Sequence, residues 1–111
     1  YEFKNLNLET IVSGKLDPCD CNKKTIKLIN SALKIRSGFP SIAQTKLNNK
    51  AKKDILDIAI VYNKLVEKCF TKNASELFKP SECNDLDMLE LKQNELLKKG
   101  IKLNQGSKVW K

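Results

Sequence analysis

The fold of this chain is decided by residues 41–70, SIAQTKLNNKAKKDILDIAIVYNKLVEKCF, in which apolar residues recur every three or four positions. The recurring positions are Leu47, Ala51, Ile55, Ile58, Ala59, Tyr62, Leu65, Val66 and Cys69. This spacing places them in one stripe along one side of an α-helix. Ser41 can cap the first turn, and no Pro or Gly interrupts the stretch before Asn73. We therefore predict one long helix over about residues 41–72.

Helices are also predicted on both sides of this long helix. Residues 22–37 have apolar positions at helical spacing, with Asn22 as the expected cap. A final helix is expected to have Asn84 as its N-cap and to end at Gly100, because glycine suits the position after a helix. The short connection at 38–41, GFPS, implies that the second helix and the long helix pack as antiparallel neighbours. The predicted fold class is all-α, a small helical bundle with its long central helix in an antiparallel hairpin.

Length and charge limit the classes of function. The chain has 111 residues, which suits a single domain over 1–111, and a net charge of +8. Nearly all of the positive charge is lysine, with Arg36 the only arginine, and lysine is less suited than arginine to paired contacts with bases or phosphates. We therefore expect acidic protein partners and no nucleic acid. No apolar run approaches the length of a membrane span, so no membrane insertion is expected.

The first residue and the cysteine content favour a secreted protein. The chain begins at Tyr1 and its only methionine is Met88, which is typical of a processed secreted chain. An even number of cysteines in a small chain is typical of an oxidising compartment. We expect a secreted monomer.

The four cysteines, Cys19, Cys21, Cys69 and Cys83, are the most informative chemical feature. A bond between Cys19 and Cys21 would close a small strained ring, so each is expected to pair elsewhere. Two connectivities remain open: Cys19 with Cys69 and Cys21 with Cys83, or Cys19 with Cys83 and Cys21 with Cys69. The alternative, a zinc site, lacks a Cys-x-x-Cys pair and any histidine, so no metal is expected.

The sequence does not contain the residues of a common catalytic site. Histidine is absent, and neither a glycine-rich phosphate loop nor a nucleophile motif is present. Two carboxylates of the long helix, Asp54 and Asp57, have Lys50, Lys53 and Lys64 within reach, which indicates a solvated salt-bridged face. We expect a protein that is not an enzyme and that carries no cofactor.

A basic patch marks the start of the long helix and is the candidate partner-binding site. It includes Lys46, Lys50 and Lys53, and it lies next to the basic segment 22–37, which has five basic residues and no acid. The alternative interpretation is an ordinary exposed helix face. The polarised charge can steer association with an acidic partner, so we predict that the partner binds here.

Two further features have alternative interpretations. Asn73-Ala74-Ser75 is an N-glycosylation sequon in an expected surface loop, which makes Asn73 a glycosylation candidate. Trp110, in a polar C-terminal tail, either anchors an interface or folds back onto the core.

The cysteine pattern also carries a resemblance to a known family. With Leu16-Asp17-Pro18-Cys19-Asp20-Cys21, the single Cys69 on a long helix, Cys83 before the last helix and a short basic tail, the chain resembles a group of anopheline mosquito proteins. These are the small secreted salivary inhibitors typified by albicin and anophensin, which are related to the C-terminal domain of the anopheline antiplatelet proteins. The resemblance implies an all-helical fold with two disulfide bonds.

The resemblance also implies a role in immune evasion during blood feeding. Albicin-like members are secreted in saliva and block the alternative complement pathway by binding the C3 convertase, the C3b/Bb complex. Anophensin-like members interfere with contact activation of the kallikrein–kinin system and coagulation. A third alternative, which follows from charge alone, is a module that binds polyanions or lipid surfaces through the lysine-rich helices.

Overall fold

A computed structural model describes residues 8–105 and 108–110, and within them the chain is all-α, as predicted. The α-helices are α1 (Leu8–Ile11), α2 (Pro18–Ser37), α3 (Ile42–Leu47), α4 (Asn49–Asn73) and α5 (Leu86–Lys98). Two short 3₁₀ turns, Ala74–Phe78 and Leu103–Gln105, follow α4 and α5. These described residues contain no strand beyond an isolated antiparallel bridge between Ile101 and Trp110.

Helix α2 begins one turn earlier than predicted. Asp17, not Asn22, is its N-cap, and the Asp17 carboxylate accepts a hydrogen bond of 2.8 Å from the backbone N–H of Asp20. Pro18 occupies the first helical position, where its fixed φ suits a helix and its missing N–H costs nothing. The extra turn matters because it places Cys19 and Cys21 on the helix itself.

The prediction of an unbroken helix from Ser41 is wrong at Asn48. Ser41 is a cap, as predicted, but it caps only the short helix α3. Asn48 has extended backbone angles, and its side-chain oxygen accepts from the N–H of Ala51 at 2.9 Å, which starts α4. An asparagine side chain competes with the helical backbone for such amides, so a break here needs neither proline nor glycine.

Helix α4 is the spine of the molecule. Its 25 residues extend about 37 Å, close to the 39 Å length of the whole protein. Most of the predicted apolar stripe is buried, from Ala51 to Cys69. The two exceptions are Leu47, which lies before the break and is 75% exposed, and Val66, which is 42% exposed.

The helices α2 and α4 pack against each other as the predicted antiparallel hairpin. Their opposite directions are shown by the disulfide that joins Cys21 at the start of α2 to Cys69 at the end of α4. Helix α5 packs on α2 and runs parallel to it, and its N-cap is Asp85 and not the predicted Asn84. The Asn22 side-chain amide donates to the carbonyl of Asp85 at 3.0 Å, and the Arg36 Nε donates to the carbonyl of Lys99 at 3.1 Å. Both α4 and α5 therefore lie against α2.

The C-terminal tail folds back into the space between α4 and α5. Ile101, Leu103 and Val109 are almost fully buried, and the Asn63 amide donates to the carbonyl of Leu103 at 2.9 Å. Trp110 is half-buried and pairs with Ile101 across the isolated bridge. Of the two interpretations of Trp110, the structure therefore supports the one in which it folds back onto the core.

Candidate binding sites

The cysteines pair as Cys19–Cys83 and Cys21–Cys69, which decides between the two predicted connectivities. Residues two apart on a helix point in different directions, so Cys19 and Cys21 reach different partners. Cys21 and Cys69 are buried where α2 meets α4, whereas Cys83 is exposed just before α5. Both bonds lie at one end of the bundle, which we call the stapled end.

Asn73 is also at the stapled end, and its amide has a structural role. The Asn73 Nδ2 donates to the carbonyl of Leu16 at 2.7 Å and to that of Cys69 at 3.0 Å. It thereby attaches the segment before α2 to the last turn of α4. A glycan joined to this nitrogen would replace one of its two protons, so attachment at Asn73 competes with these bonds.

The predicted partner-binding residues Lys46, Lys50 and Lys53 lie together at the opposite end of the bundle. This lysine end comprises α3 and the first turn of α4, and all three side chains are exposed. Each of them has a local partner. The Lys46 Nζ lies 5.9 Å from the ring centre of Trp110, within the range of a cation–π contact.

Lys50 and Lys53 form the ion pairs that the sequence indicated on this helix. The Lys50 Nζ lies 3.2 Å from a carboxylate oxygen of Asp54, and the Lys53 Nζ lies 2.8 Å from one of Asp57. The hydrogen bond with Asp57 raises the pKa of the Lys53 ammonium. Much of the positive charge at the lysine end is thus balanced locally.

A second basic surface lies along α2. The exposed residues Lys23, Lys27 and Lys34 share one face of this helix, and within the described chain they form no ion pair. They line a shallow depression that also includes Asn30 and Ser31. This charge is less neutralised than that of the predicted site, because Asp54 and Asp57 lie one turn from Lys50 and Lys53 on α4, whereas α2 has no acid after Asp20.

An apolar cleft, which the sequence did not indicate, opens between α4 and α5 at the stapled end. Its apolar lining comes mainly from Val66, Phe70, Leu77, Phe78, Leu86 and Leu89. The cavity has a volume of about 350 Å³, near the lower end of the range for small-molecule sites. Phe70 and Phe78 are 53% and 65% exposed at its edge, with ring centres 6.2 Å apart.

The end of the cleft beside the returning tail is polar. The Tyr62 hydroxyl accepts a hydrogen bond of 2.9 Å from the Gln93 side-chain amide, which links α4 to α5. Burial raises the pKa of Tyr62 above its usual value of 10.0, and the bond from Gln93 offsets part of that rise. Asn104, in the returning tail, lines the cleft beside this pair.

The cleft could have been suspected from α4 itself. The apolar face of a helix that packs on one neighbour is a narrow stripe, but in the last part of α4 the stripe includes Val66 next to Leu65, and Phe70 lies beside Cys69. Phe78 follows one turn after the helix. This widening indicates apolar surface that the hairpin alone does not cover.

Two further kinds of site, a metal centre and a membrane-spanning helix, are absent from the described part of the chain. Between residues 8 and 105, and at 108–110, no group of three or more cysteine, aspartate or glutamate side chains is placed to hold a metal ion. In the same residues, none of the helices has both the length and the apolar character needed to cross a membrane. No protein-family model, curated protein or solved structure matches the chain.

Proposed function

We propose that the chain is a secreted salivary inhibitor that binds a host-defence protein complex, with the C3 convertase of the alternative complement pathway as its target. The observation that carries this proposal is the four-cysteine framework. The resemblance to the anopheline inhibitors depends on Cys19, Cys21, Cys69 and Cys83, and in the structure all four are used in disulfides that hold an all-helical bundle together.

The shape of the bundle suits inhibition by obstruction. The two disulfides hold the helices in a rigid bundle, 39 Å long and 26 Å by 22 Å across, with two chemically different ends. A rigid binder loses little conformational entropy on association, so more of its contact energy contributes to affinity. Bound to the convertase, such a bundle would block substrate access or a conformational step.

The cheapest test is lysis of rabbit red cells in human serum under conditions that permit only the alternative pathway. We expect inhibition at micromolar or lower concentration of this protein. Absence of inhibition would exclude the convertase as target. Prolonged surface-triggered clotting with unchanged complement activity would instead place the protein with the contact-activation inhibitors.

The contact surface is tested by two matched charge reversals. The first replaces Lys46, Lys50 and Lys53 with glutamate, and the second does the same at Lys23, Lys27 and Lys34. The exposed pair of Lys53 with Asp57 contributes little to folding, but Asp54 beside Lys50 is buried, so circular dichroism first checks that the first variant is folded. If the lysine end binds the target, only the first reversal weakens inhibition; full activity in that variant excludes it.

Polyanion binding is the second candidate function, and the free charge on α2 favours it. Lys23, Lys27 and Lys34 present a face of α2 without a neutralising acid among the described residues. Binding of this kind loses affinity steeply as salt is added, because exposed charges are screened. Heparin–agarose retention that vanishes in the α2 variant and at high salt would support it, whereas passage through the column at low salt would exclude it.

A further inference from the structure

The cleft exists because α4 and α5 both pack on α2 while leaving a gap between themselves. The returning tail fills one half of that gap with Ile101 and Leu103, which are 0% and 4% exposed. The other half is left to the cleft of about 350 Å³. The chain thus closes the gap with its own apolar residues at one end only.

The lining of the cleft restricts the charge of what can occupy it. Charged residues make up 31% of the chain, yet none of the fourteen described residues that line the cleft is charged. A charged group placed inside would lose its hydration without finding a counter-ion, which is costly. The occupant is therefore uncharged where it enters the cleft.

The Tyr62 hydroxyl defines one polar contact for that occupant. Its oxygen already accepts a hydrogen bond from the Gln93 side-chain amide. Among the described residues, no acceptor receives a hydrogen bond from the hydroxyl's own O–H. Tyr62 is 3% exposed as a residue and lines the cleft, so an occupant of the cleft would displace water from around its hydroxyl. A donor that loses water in this way gains most from an acceptor oxygen on the occupant.

We propose that the cleft is a binding site for a small uncharged molecule that has an apolar body and one hydrogen-bond acceptor. The acceptor, a carbonyl or ether oxygen, accepts a hydrogen bond from the Tyr62 hydroxyl, and the apolar body lies between α4 and α5. Phe70 and Phe78 cover its outer end. This site is separate from the lysine end and independent of the proposed inhibition.

The first test uses the uncharged dye N-phenyl-1-naphthylamine, whose fluorescence rises in apolar surroundings. We expect saturable binding of one dye per chain. Val66→Phe fills the cleft and should weaken binding by about tenfold or more, a loss of about 1.4 kcal/mol. Ile60→Phe is the control, since Ile60 is on the same helix and 67% exposed but lies outside the cleft. It should leave binding unchanged.

Folding of each variant is checked by its circular dichroism and melting temperature. Should Val66→Phe fail to fold, Leu89→Phe fills the cleft from the α5 side and serves the same purpose. Truncation of the exposed rim by Phe70→Ala or Phe78→Ala should also weaken dye binding.

The second test isolates the hydroxyl. The naphthyl ketone dye 6-propionyl-2-dimethylaminonaphthalene is uncharged and has a carbonyl acceptor. Tyr62→Phe should weaken its binding about fivefold, the usual worth of one hydrogen bond. The same substitution should leave N-phenyl-1-naphthylamine, which has no carbonyl, unaffected.

The inference that the ligand is uncharged is tested by competition between the dye and two unlabelled molecules. Methyl decanoate should displace N-phenyl-1-naphthylamine from the cleft, whereas decanoate should not. Equal displacement by the two would overturn the assignment of an uncharged ligand.

Failure of both dyes to bind at one site per chain, or equal loss with Val66→Phe and Ile60→Phe, would overturn the proposal. Loss of complement inhibition in Val66→Phe without any dye binding to the parent would also overturn it, and would make the cleft a contact for the host protein. The dye measurements need no complement, so they are decided separately from the proposed function.

Discussion

The two ends of the bundle are held together by different means. At the stapled end, covalent bonds join α2 to α4 and to the start of α5, and the side chains around them leave an open apolar cleft. At the lysine end no disulfide is present. There the buried tail residues Ile101 and Val109 close the core, and Arg36 donates hydrogen bonds to the carbonyls of Lys99 and Phe39.

The contrast indicates that a disulfide bond can hold helices together where their apolar side chains are not fully packed. An apolar cleft with exposed aromatic residues is a poor way to hold helices together, because it leaves apolar area in contact with water. Two disulfides compensate for this loss of stability, since they lower the conformational entropy of the unfolded chain independently of side-chain packing. At the lysine end, where no cross-link exists, Ile101 and Val109 are fully buried, although Leu47 on α3 remains 75% exposed.

The largest expected effect comes from removing a staple. Joint replacement of Cys21 and Cys69 by alanine should lower the free energy of unfolding by about 3 to 4 kcal/mol, because the bond spans 48 residues but closes a shorter loop while Cys19 and Cys83 stay paired. Urea unfolding followed by circular dichroism measures the loss. Peptide mapping by mass spectrometry should show that Cys19 and Cys83 remain paired. Unchanged stability would mean that packing alone holds the stapled end.

A smaller effect is expected at the lysine end from Gly100→Ala. Gly100 has φ of +94°, and an added Cβ would come within 2.9 Å of the Ile42 side chain on α3. Backbone strain and crowding together should cost about 3 kcal/mol. Gly14→Ala is the matched control, since Gly14 has φ of +81° but open space around its Cβ position. The difference between the two midpoints of urea unfolding reports the contact alone, and equal losses would rule that contact out.

Next in size is the attachment made by Asn73. Asn73→Ala leaves the buried carbonyl of Leu16 without this donor and should cost about 2 kcal/mol, measured by thermal unfolding. Ser75→Ala destroys the same sequon without touching the amide, so it should leave stability unchanged. A glycan on Asn73 would displace these bonds, so chains glycosylated in a eukaryotic secretory pathway should unfold at a lower temperature than the same chains without glycan. A fully glycosylated and equally stable product would contradict the structural role.

The smallest expected effect is a pH dependence that originates in the cleft. Burial raises the pKa of Tyr62, so the folded chain holds this proton to higher pH than the unfolded chain does. The stabilisation is complete below a pH of about 10, the pKa of an unfolded tyrosine, and is lost as the pH rises through the folded pKa. The parent should therefore lose stability in this alkaline range more steeply than Tyr62→Phe. Identical slopes would show that the hydroxyl titrates freely.

Local signals in the sequence predicted much of the fold. The apolar stripe from Ala51 to Cys69 predicted the spine, Ser41 was confirmed as a cap, and Gly100 was confirmed as the residue that ends α5. These features depend on neighbours within a turn or two. The break at Asn48 also depends on local chemistry, and the pair Asn48-Asn49 was an available signal for it.

Other features required partners that are distant in the sequence. Whether Lys50 and Lys53 are neutralised could be anticipated from Asp54 and Asp57 one turn away. The contact of Lys46 with Trp110 could not, because it depends on how residues 101–110 return across the bundle. The cleft was missed for the same reason: it is bounded by α4, α5 and the turn after α4, and none of these indicates by itself how far apart the others lie.

Periodicity, capping residues and composition act over short stretches of chain, so the helical class, the position of the long helix and the pairing of all four cysteines followed from the amino-acid order. The partners within those pairs, Cys19 with Cys83 and Cys21 with Cys69, followed only from the arrangement of the helices in space. It alone also decided that the tail fills just one half of the gap between α4 and α5. Those outcomes depend on the orientation of α2 and on the path of the tail, which arise from many weak contacts between distant residues acting together.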